Sequence, residues 1–185
     1  MGGVNKALLR IRGRTIVERV RDALAGIFSE VILITNSPEE FAFLGLPMFG
    51  DVRPGKGSMG GLYTGLQACT GTHGFLVACD MPFLRPEILL HMKRLVDDHD
   101  VVIPKIGGYW EPLHAIYSRR CLPFVGEALD RGELKIISFL DYVNVLEVPD
   151  RDLARFDSRY LFAMNLNTLQ DLAKAKALAE ELEPL

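Results

Sequence analysis

The chain has 185 residues, 49% hydrophobic and 24% charged, which suits one domain with a buried core and excludes disordered and fibrous classes. The 21 Lys and Arg against 24 Asp and Glu leave a net charge of −3 with no basic block, so no nucleic-acid partner is expected. No apolar run approaches the ~20 residues that a bilayer requires and no signal peptide opens the sequence, so a cytoplasmic protein without a membrane partner is expected.

In chain order, the first helix is signalled by Ile16, Val17, Val20, Ala23, Leu24 and Ile27, which share one face. Val31–Ile34 is a short β-branched run, as expected of a strand covered on both faces. Residues 45–49 form a weaker strand candidate. Gly61 to Cys69 reads as a helix, Gly74 to Cys79 as a buried strand, and Pro86 to Asp97 as a helix with proline in its first turn. Val101–Ile103 is a strand, Leu113–Tyr117 another, and Cys121–Leu129 a helix. Val143–Val148 and Leu161–Met164 complete the strands. Thr168 and Asp171 then have capping-box spacing ahead of a terminal helix to about Leu182. Strands alternating with helices predict an α/β fold, a three-layer α/β/α sandwich with a mostly parallel, mixed sheet. Cys69, Cys79 and Cys121 lie far apart, form no metal or disulfide pattern, and read as buried thiols.

In such folds ligands bind beyond the carboxyl ends of the strands. Those positions hold Thr35-Asn36, Asp51, Asp80, Pro104-Lys105 and Asn165-Leu166-Asn167. Asp80 follows five apolar residues; a carboxylate there either holds a hard cation such as magnesium or caps the following helix. The run Pro54-Gly55-Lys56-Gly57-Ser58-Met59-Gly60-Gly61 opens a helix, where free N–H groups and absent side chains suit a phosphate or a purine edge. Lys6 is the one basic residue in its Gly-rich stretch and can neutralise a phosphate. His114 is either a base or ligand or a hydrogen-bonded core residue. Tyr109 and Trp110 either line a pocket or pack.

Two familiar nucleotide sites are disfavoured. Gly50 to Lys56 matches the P-loop pattern until its last position, where Gly57 stands in place of the hydroxyl that binds the metal. No G-x-G-x-x-G follows a strand with an acidic residue at the right distance, which argues against a dinucleotide dehydrogenase.

Taken together, several segments resemble the molybdenum cofactor guanylyltransferases, MobA-like members of the nucleotide-diphosphosugar-transferase fold. Met1-Gly2-Gly3-Val4-Asn5-Lys6-Ala7-Leu8-Leu9 resembles the end of L-A-G-G-x-S-x-R-M-G-x-D-K-A-L-L. Gly13-Arg14-Thr15-Ile16 is similar to G-x-x-L. Gly57-Ser58-Met59-Gly60-Gly61-Leu62 resembles G-P-L-A-G-L, and Cys79-Asp80-Met81-Pro82-Phe83 resembles C-D-M-P-F. Glu111-Pro112-Leu113-His114-Ala115 resembles E-P-L-H-A, and Asn165-Leu166-Asn167-Thr168 resembles N-x-N-T. The resemblance runs along essentially the whole chain.

It implies a Rossmann-like nucleotidyltransferase fold and transfer of GMP from GTP to a molybdopterin-type cofactor, with pyrophosphate released. It implies that Asp80 holds Mg2+ and that Lys6 stabilises the triphosphate. Asn36, Asp51, Gly57, Gly60 and Gly61 then belong to the nucleotide pocket, and His114, Asn165 and Asn167 to the acceptor side. It further implies a monomer that hands its product to molybdoenzyme chaperones. The alternatives are a cytidylyltransferase or other small-molecule nucleotidyltransferase, and a nucleotide-binding protein without activity. The sequence departs from the family at Asn5, where aspartate is usual, and at Ser58, where proline is usual. The first half of the signature is absent. The expectation is therefore a single domain over residues 1–185 that lacks the family's first strand and Gly-rich loop, with Met1 not the natural start.

Overall fold

The structure, a computed structural model, describes residues 5–182. The expectations for Met1 to Val4, including the start of the signature, lie outside the described residues.

A short hairpin of β1 (Arg10–Ile11) and β2 (Arg14–Thr15) delivers the chain to α1 (Ile16–Ala25). Thr15 starts that helix: its hydroxyl accepts from Glu18 N, and Glu18 in turn accepts from Thr15 N at 2.7 Å. Such a box contributes about 1 kcal/mol to a helix start. Next come β3 (Leu33–Ile34), α2 (Pro38–Phe41) and β4 (Met48–Phe49); β3 and β4 pair in parallel as a two-stranded sheet of their own.

Helix α3 (Gly57–Ala68) begins four residues before its expected start, so Gly60 and Gly61 lie in its first turns. It leads to β5 (His73–Val77), α4 (Pro86–Arg94) and β6 (Val101–Ile106). Gly107 and Gly108, with φ of +56° and +87°, form a two-residue turn into β7 (Tyr109–Trp110), as hairpins of this length demand. Then follow β8 (His114–Ser118), α5 (Leu122–Asp130), β9 (Val145–Pro149), α6 (Asp150–Leu153) and α7 (Leu169–Leu182). The sheet order is β5-β8-β6-β7, with β9 pairing the other side of β6. β6 and β9 are parallel, whereas β8 runs antiparallel to both β5 and β6. The mixed α/β sheet stands as expected, but three of its four pairings are antiparallel, so it is not mostly parallel.

Alternation along the strands assigns the two faces. Val101, Ile103, Ala115 and Tyr117 pack with Met59 and Leu62 of α3 and Val125 and Leu129 of α5. Val102, Ile116 and Val148 face the other way, onto Ile88 and Met92 of α4 and onto Phe162. Helix α1 packs on that second side through Ile16, Val20 and Leu24, together with Ala175 and Ala179 of α7.

Three further expectations change. The strand foreseen at Leu161–Met164 is a 3-10 turn, Leu161–Ala163, because buried Asp157 captures Phe162 N at 2.9 Å and Tyr160 turns left-handed at φ +52°. The β5 strand is half-buried rather than fully covered; among the described residues only one of its edges is paired. Of the cysteines, only Cys121 is fully buried; Cys69 and Cys79 are partly so, and all three are free. Among the described residues no helix is long and apolar enough to cross a membrane.

Candidate active site

The described chain begins at the site. Asn5 caps a one-turn 3-10 helix, Lys6–Leu8, by accepting from Ala7 N. Ala7 is buried in a cluster with Val17, Leu33 and Cys79, which fixes the root of Lys6. The Lys6 Nζ donates to Asn167 Oδ1 at 3.0 Å. Asn167 is held from behind, since its own N–H, and that of Thr168, reach Asp171 Oδ2 at 3.0 and 2.8 Å. The Asp171 N–H returns to Thr168 Oγ1 at 3.1 Å, completing the expected capping box.

Asp80 stands three residues beyond β5. Its backbone carbonyl accepts from Leu166 N at 3.1 Å, and Leu166 is wholly buried. This bond ties the Cys79-Asp80-Met81 turn to the Asn165-Leu166-Asn167 segment. Partial burial pushes the Asp80 carboxyl above its ordinary value of 3.8, and the charge of Lys6 pulls it back. Lys6, Asp80, Asn165 and Asn167 thus form one group. Asn165 contributes a buried Oδ1 with no hydrogen-bond partner. An unpaired buried oxygen calls for a donor or a cation.

A second group lies at the ends of β3 and β4. Asn36 Nδ2 donates to Asp51 Oδ2 at 3.1 Å and Asn36 Oδ1 accepts from Asp51 N at 2.8 Å. This two-point clamp sets the start of the loop into α3. Val52 N then donates to Thr64 Oγ1, and Arg53 pairs with Asp130 while lying over the Tyr63 ring at 5.0 Å. Gly55 and Gly57 have φ of +74° and +56°, a backbone that favours glycine. Gly60 is needed for a different reason: a Cβ there would stand 3.0 Å from Lys56 Cβ and 3.1 Å from the Arg53 carbonyl. A Cβ on Gly61 would meet nothing.

One expected residue is elsewhere. His114 is wholly buried in β8, its ring between Phe75 and Phe162 at centroid distances of 4.9 and 4.7 Å. Neither ring nitrogen has a partner, and burial pushes its pKa down to about 3. It does not face an acceptor; it is a neutral core residue.

A cavity of about 550 Å3 adjoins the glycine-rich loop at Ser58. Its wall includes Lys105, Tyr109, Trp110, Lys135 and Ile136. Trp110 Nε1 donates to Glu147 Oε1 at 2.7 Å, and Lys105 Nζ reaches both carboxylate oxygens of Glu147 at 2.9 and 3.0 Å. The Lys105 hydrogen bond holds the Glu147 carboxyl below its ordinary value, with Trp110 adding to the effect. Both Tyr109 and Trp110 therefore line a pocket. Glu147 was not foreseen, because only the β6–β9 register brings it opposite Ile103 and beside Lys105.

Among the described residues no three His, Cys, Asp or Glu side chains converge to hold a metal. The Asp80 carboxylate and the orphan Asn165 oxygen are donors of the hard kind that suits Mg2+, an ion that keeps several waters and takes few protein ligands.

Residues 1–145 match a profile described as the MobA-like NTP transferase domain. The molybdenum cofactor guanylyltransferase of Desulfosudis oleivorans is 31% identical over 177 residues, covering 95% of this chain and 88% of that protein. A probable molybdenum cofactor guanylyltransferase of Natranaerobius thermophilus is 32% identical over 180 residues, covering 94% and 88%. Among solved structures, molybdopterin-guanine dinucleotide biosynthesis protein A from Archaeoglobus fulgidus superposes with a TM-score of 0.84 at 26% identity, covering 97% of this chain and 93% of the other.

Proposed function

Because this chain belongs to the MobA-like NTP transferase family, we propose that it is a guanylyltransferase that transfers GMP from GTP to a molybdopterin-type cofactor. A phosphate oxygen of the acceptor forms a bond to the α-phosphorus of GTP, and the bond from that phosphorus to the bridging oxygen breaks, releasing pyrophosphate. The reaction needs in-line placement and charge neutralisation rather than a covalent intermediate.

The observation that carries this reading is the convergence of Lys6, Asp80 and Asn167 from the start, middle and end of the chain. Lys6 stabilises the triphosphate, and its bond to Asn167 aims the ammonium. Asp80, with Asn165 beside it, holds Mg2+, which supplies charge neutralisation to the phosphates when bound. Asn36 fixes Asp51 at the edge of the nucleotide pocket. The turn at Gly57 and the close approach of the Arg53 carbonyl to Gly60 bring the α3 amides within reach of the nucleotide. Asn165 and Asn167 border the acceptor. The Trp110 cavity supports the same reading, because its aromatic wall and two lysines suit a flat, anionic heterocycle. On this reading the enzyme works in the cytoplasm as a monomer and passes its product to molybdoenzyme chaperones.

The test is Mg2+-dependent pyrophosphate release from GTP and from CTP, with and without molybdopterin. Release from GTP alone, only with acceptor, supports the proposal. Preference for CTP makes it a cytidylyltransferase. Nucleotide binding without release, in a chain shown to be fully folded, overturns the enzymatic role.

A further inference from the structure

A polar pocket lined by none of the candidate-site residues lies where α1 meets the end of α7. Its volume is about 260 Å3, and its wall includes Arg14, Arg19, Asp22, Phe83, Arg85 and Leu182. Three guanidinium groups thus share one small space with a single carboxylate. The sequence supplies this excess: residues 10–22 hold five arginines against Glu18 and Asp22, in a chain whose net charge is −3. These arginines are interleaved with core residues, so Ile11, Ile16 and Val20 are buried while Arg10, Arg12 and Arg14 are exposed.

The three arginines of the pocket are not equivalent. Arg14 pairs with Asp22, and Asp22 also accepts from Arg21 Nε at 2.7 Å. The acidic wall residue is therefore already shared by two cations. Arg19 is engaged as well. Arg85 differs: among the described residues its guanidinium makes no hydrogen bond or ion pair, and its Nε is buried without a partner. A buried charged donor of this kind bears a desolvation penalty that nothing offsets, and it calls for an acceptor. The backbone behind it is preset. Ile88 N and Leu89 N both donate to the Arg85 carbonyl, at 3.0 and 3.1 Å. Phe83, two residues earlier, is buried in a cluster with Leu89 and Leu166.

We propose that this pocket is a second anion site, built for a small phosphate-type oxyanion, with Arg85 as its main donor and Arg14 at its rim. A guanidinium suits such an ion because its planar fork donates two parallel hydrogen bonds to adjacent oxygens. Charge favours the same class, since the one wall carboxylate is outnumbered three to one by arginines. Size narrows it further. Pockets for drug-sized ligands run to roughly 300–1,000 Å3, so about 260 Å3 fits inorganic phosphate or pyrophosphate rather than a whole nucleotide. The proposal stands on the arginine cluster and holds whether or not the chain transfers GMP.

The test is NMR of the arginine Nε–H groups, each assigned through its own backbone, during titration with inorganic phosphate and, in a second arm, with pyrophosphate. The chain carries Lys6→Ala to weaken phosphate binding at the candidate active site, and sodium chloride keeps the ionic strength constant. Either ion is expected to move the Arg85 signal saturably, and the tighter of the two is the preferred ligand. Chloride alone is expected to leave the signal in place. Read from the Arg14 signal, Arg85→Gln is expected to weaken binding about tenfold, and Arg85→Lys, which keeps the charge without the fork, about threefold. An Arg85 signal indifferent to both ions would overturn the proposal, and this arm needs no change at Arg85. An equal response to chloride would overturn it too, because that is screening alone. So would an Arg85 Nε–H already protected from exchange in ion-free buffer, which would put a carboxylate of the chain itself in the pocket. Undiminished binding in a folded Arg85→Gln chain would place the ion elsewhere.

Discussion

Lys6 Nζ and Asn167 Oδ1 meet at 3.0 Å across 161 positions of sequence. The bond joins the first turn of the described chain to the cap of its last helix. It is exposed, so it adds little to stability, and its value lies in where it holds the ammonium. Lys6→Ala is expected to lower guanylyl transfer by about a hundredfold, in the range found when one charge-stabilising donor is removed, with the melting temperature nearly unchanged. Asn167→Ala leaves the charge but frees its direction and is expected to cost less, about tenfold. Steady-state kinetics paired with thermal melts check both; a large loss of stability in either variant would assign the bond a structural role.

The carboxyl of Asp80 has a pKa raised by burial. The folded state thus holds this proton to higher pH than the unfolded chain, whose value is near 3.8. Ionisation costs folding free energy as pH rises above that value, and the cost is complete above the folded pKa. Asp80→Asn is therefore expected to melt slightly higher than the parent near pH 7 in metal-free buffer, by about 2 °C or less for a partly exposed group. The difference should vanish below pH 3.8. Added Mg2+ should raise the melting temperature of the parent alone. Melting curves across pH, with and without the ion, decide the matter.

His114 titrates the other way. Its folded pKa is pushed down to about 3 from 6.5, so stability is full above pH 6.5 and falls as the unfolded chain takes up the proton below it. At about pH 4.5 this costs roughly 3 kcal/mol. His114→Phe, placed between Phe75 and Phe162, is expected to flatten that acid limb in denaturant titrations and to leave the pH profile of turnover unmoved. A changed pH–rate profile would return the residue to the site.

Gly60 and Gly61 are neighbours with opposite demands. Gly60→Ala forces a Cβ against the Arg53 carbonyl at 3.1 Å, so the loop must shift and nucleotide affinity is expected to fall at least tenfold. Gly61→Ala meets open space within a helix and should stabilise the free protein by up to about 1 kcal/mol. Isothermal titration with GTP and urea melts separate the two. If Gly61→Ala also loses affinity, the nucleotide itself comes against that position.

The position of Asp80 beyond a strand was legible in the sequence, because it closes a run of five apolar residues; the choice between a helix cap and a cation ligand was not, since the local pattern fits both. Thr168 and Asp171 were legible because a capping box is a local device. The turn at Gly107-Gly108 carries a hairpin signal that the expected elements did not include. The direction of β8 and the pairing of Lys105 and Trp110 with Glu147 were not legible, since they depend on which strands become neighbours. The start of α3 was set too late because its glycines have poor helix propensity; the approach of the Arg53 carbonyl to Gly60 accounts for one of them. His114 remained undecided because burial is a property of the assembled sheet. Leu161–Met164 reads as a strand in the sequence because a short apolar run has no period of its own.

Trp110 is the chain's one tryptophan, and its indole N–H is bound to the carboxylate that also holds Lys105. Indole emission therefore arises from the cavity wall and from nowhere else in the molecule. The fold carries a built-in optical gauge whose colour and brightness follow the polarity and electric field of that one compartment. Entry of a flat ligand, or any slip of β9 past β6 that moved Glu147, is written directly into light.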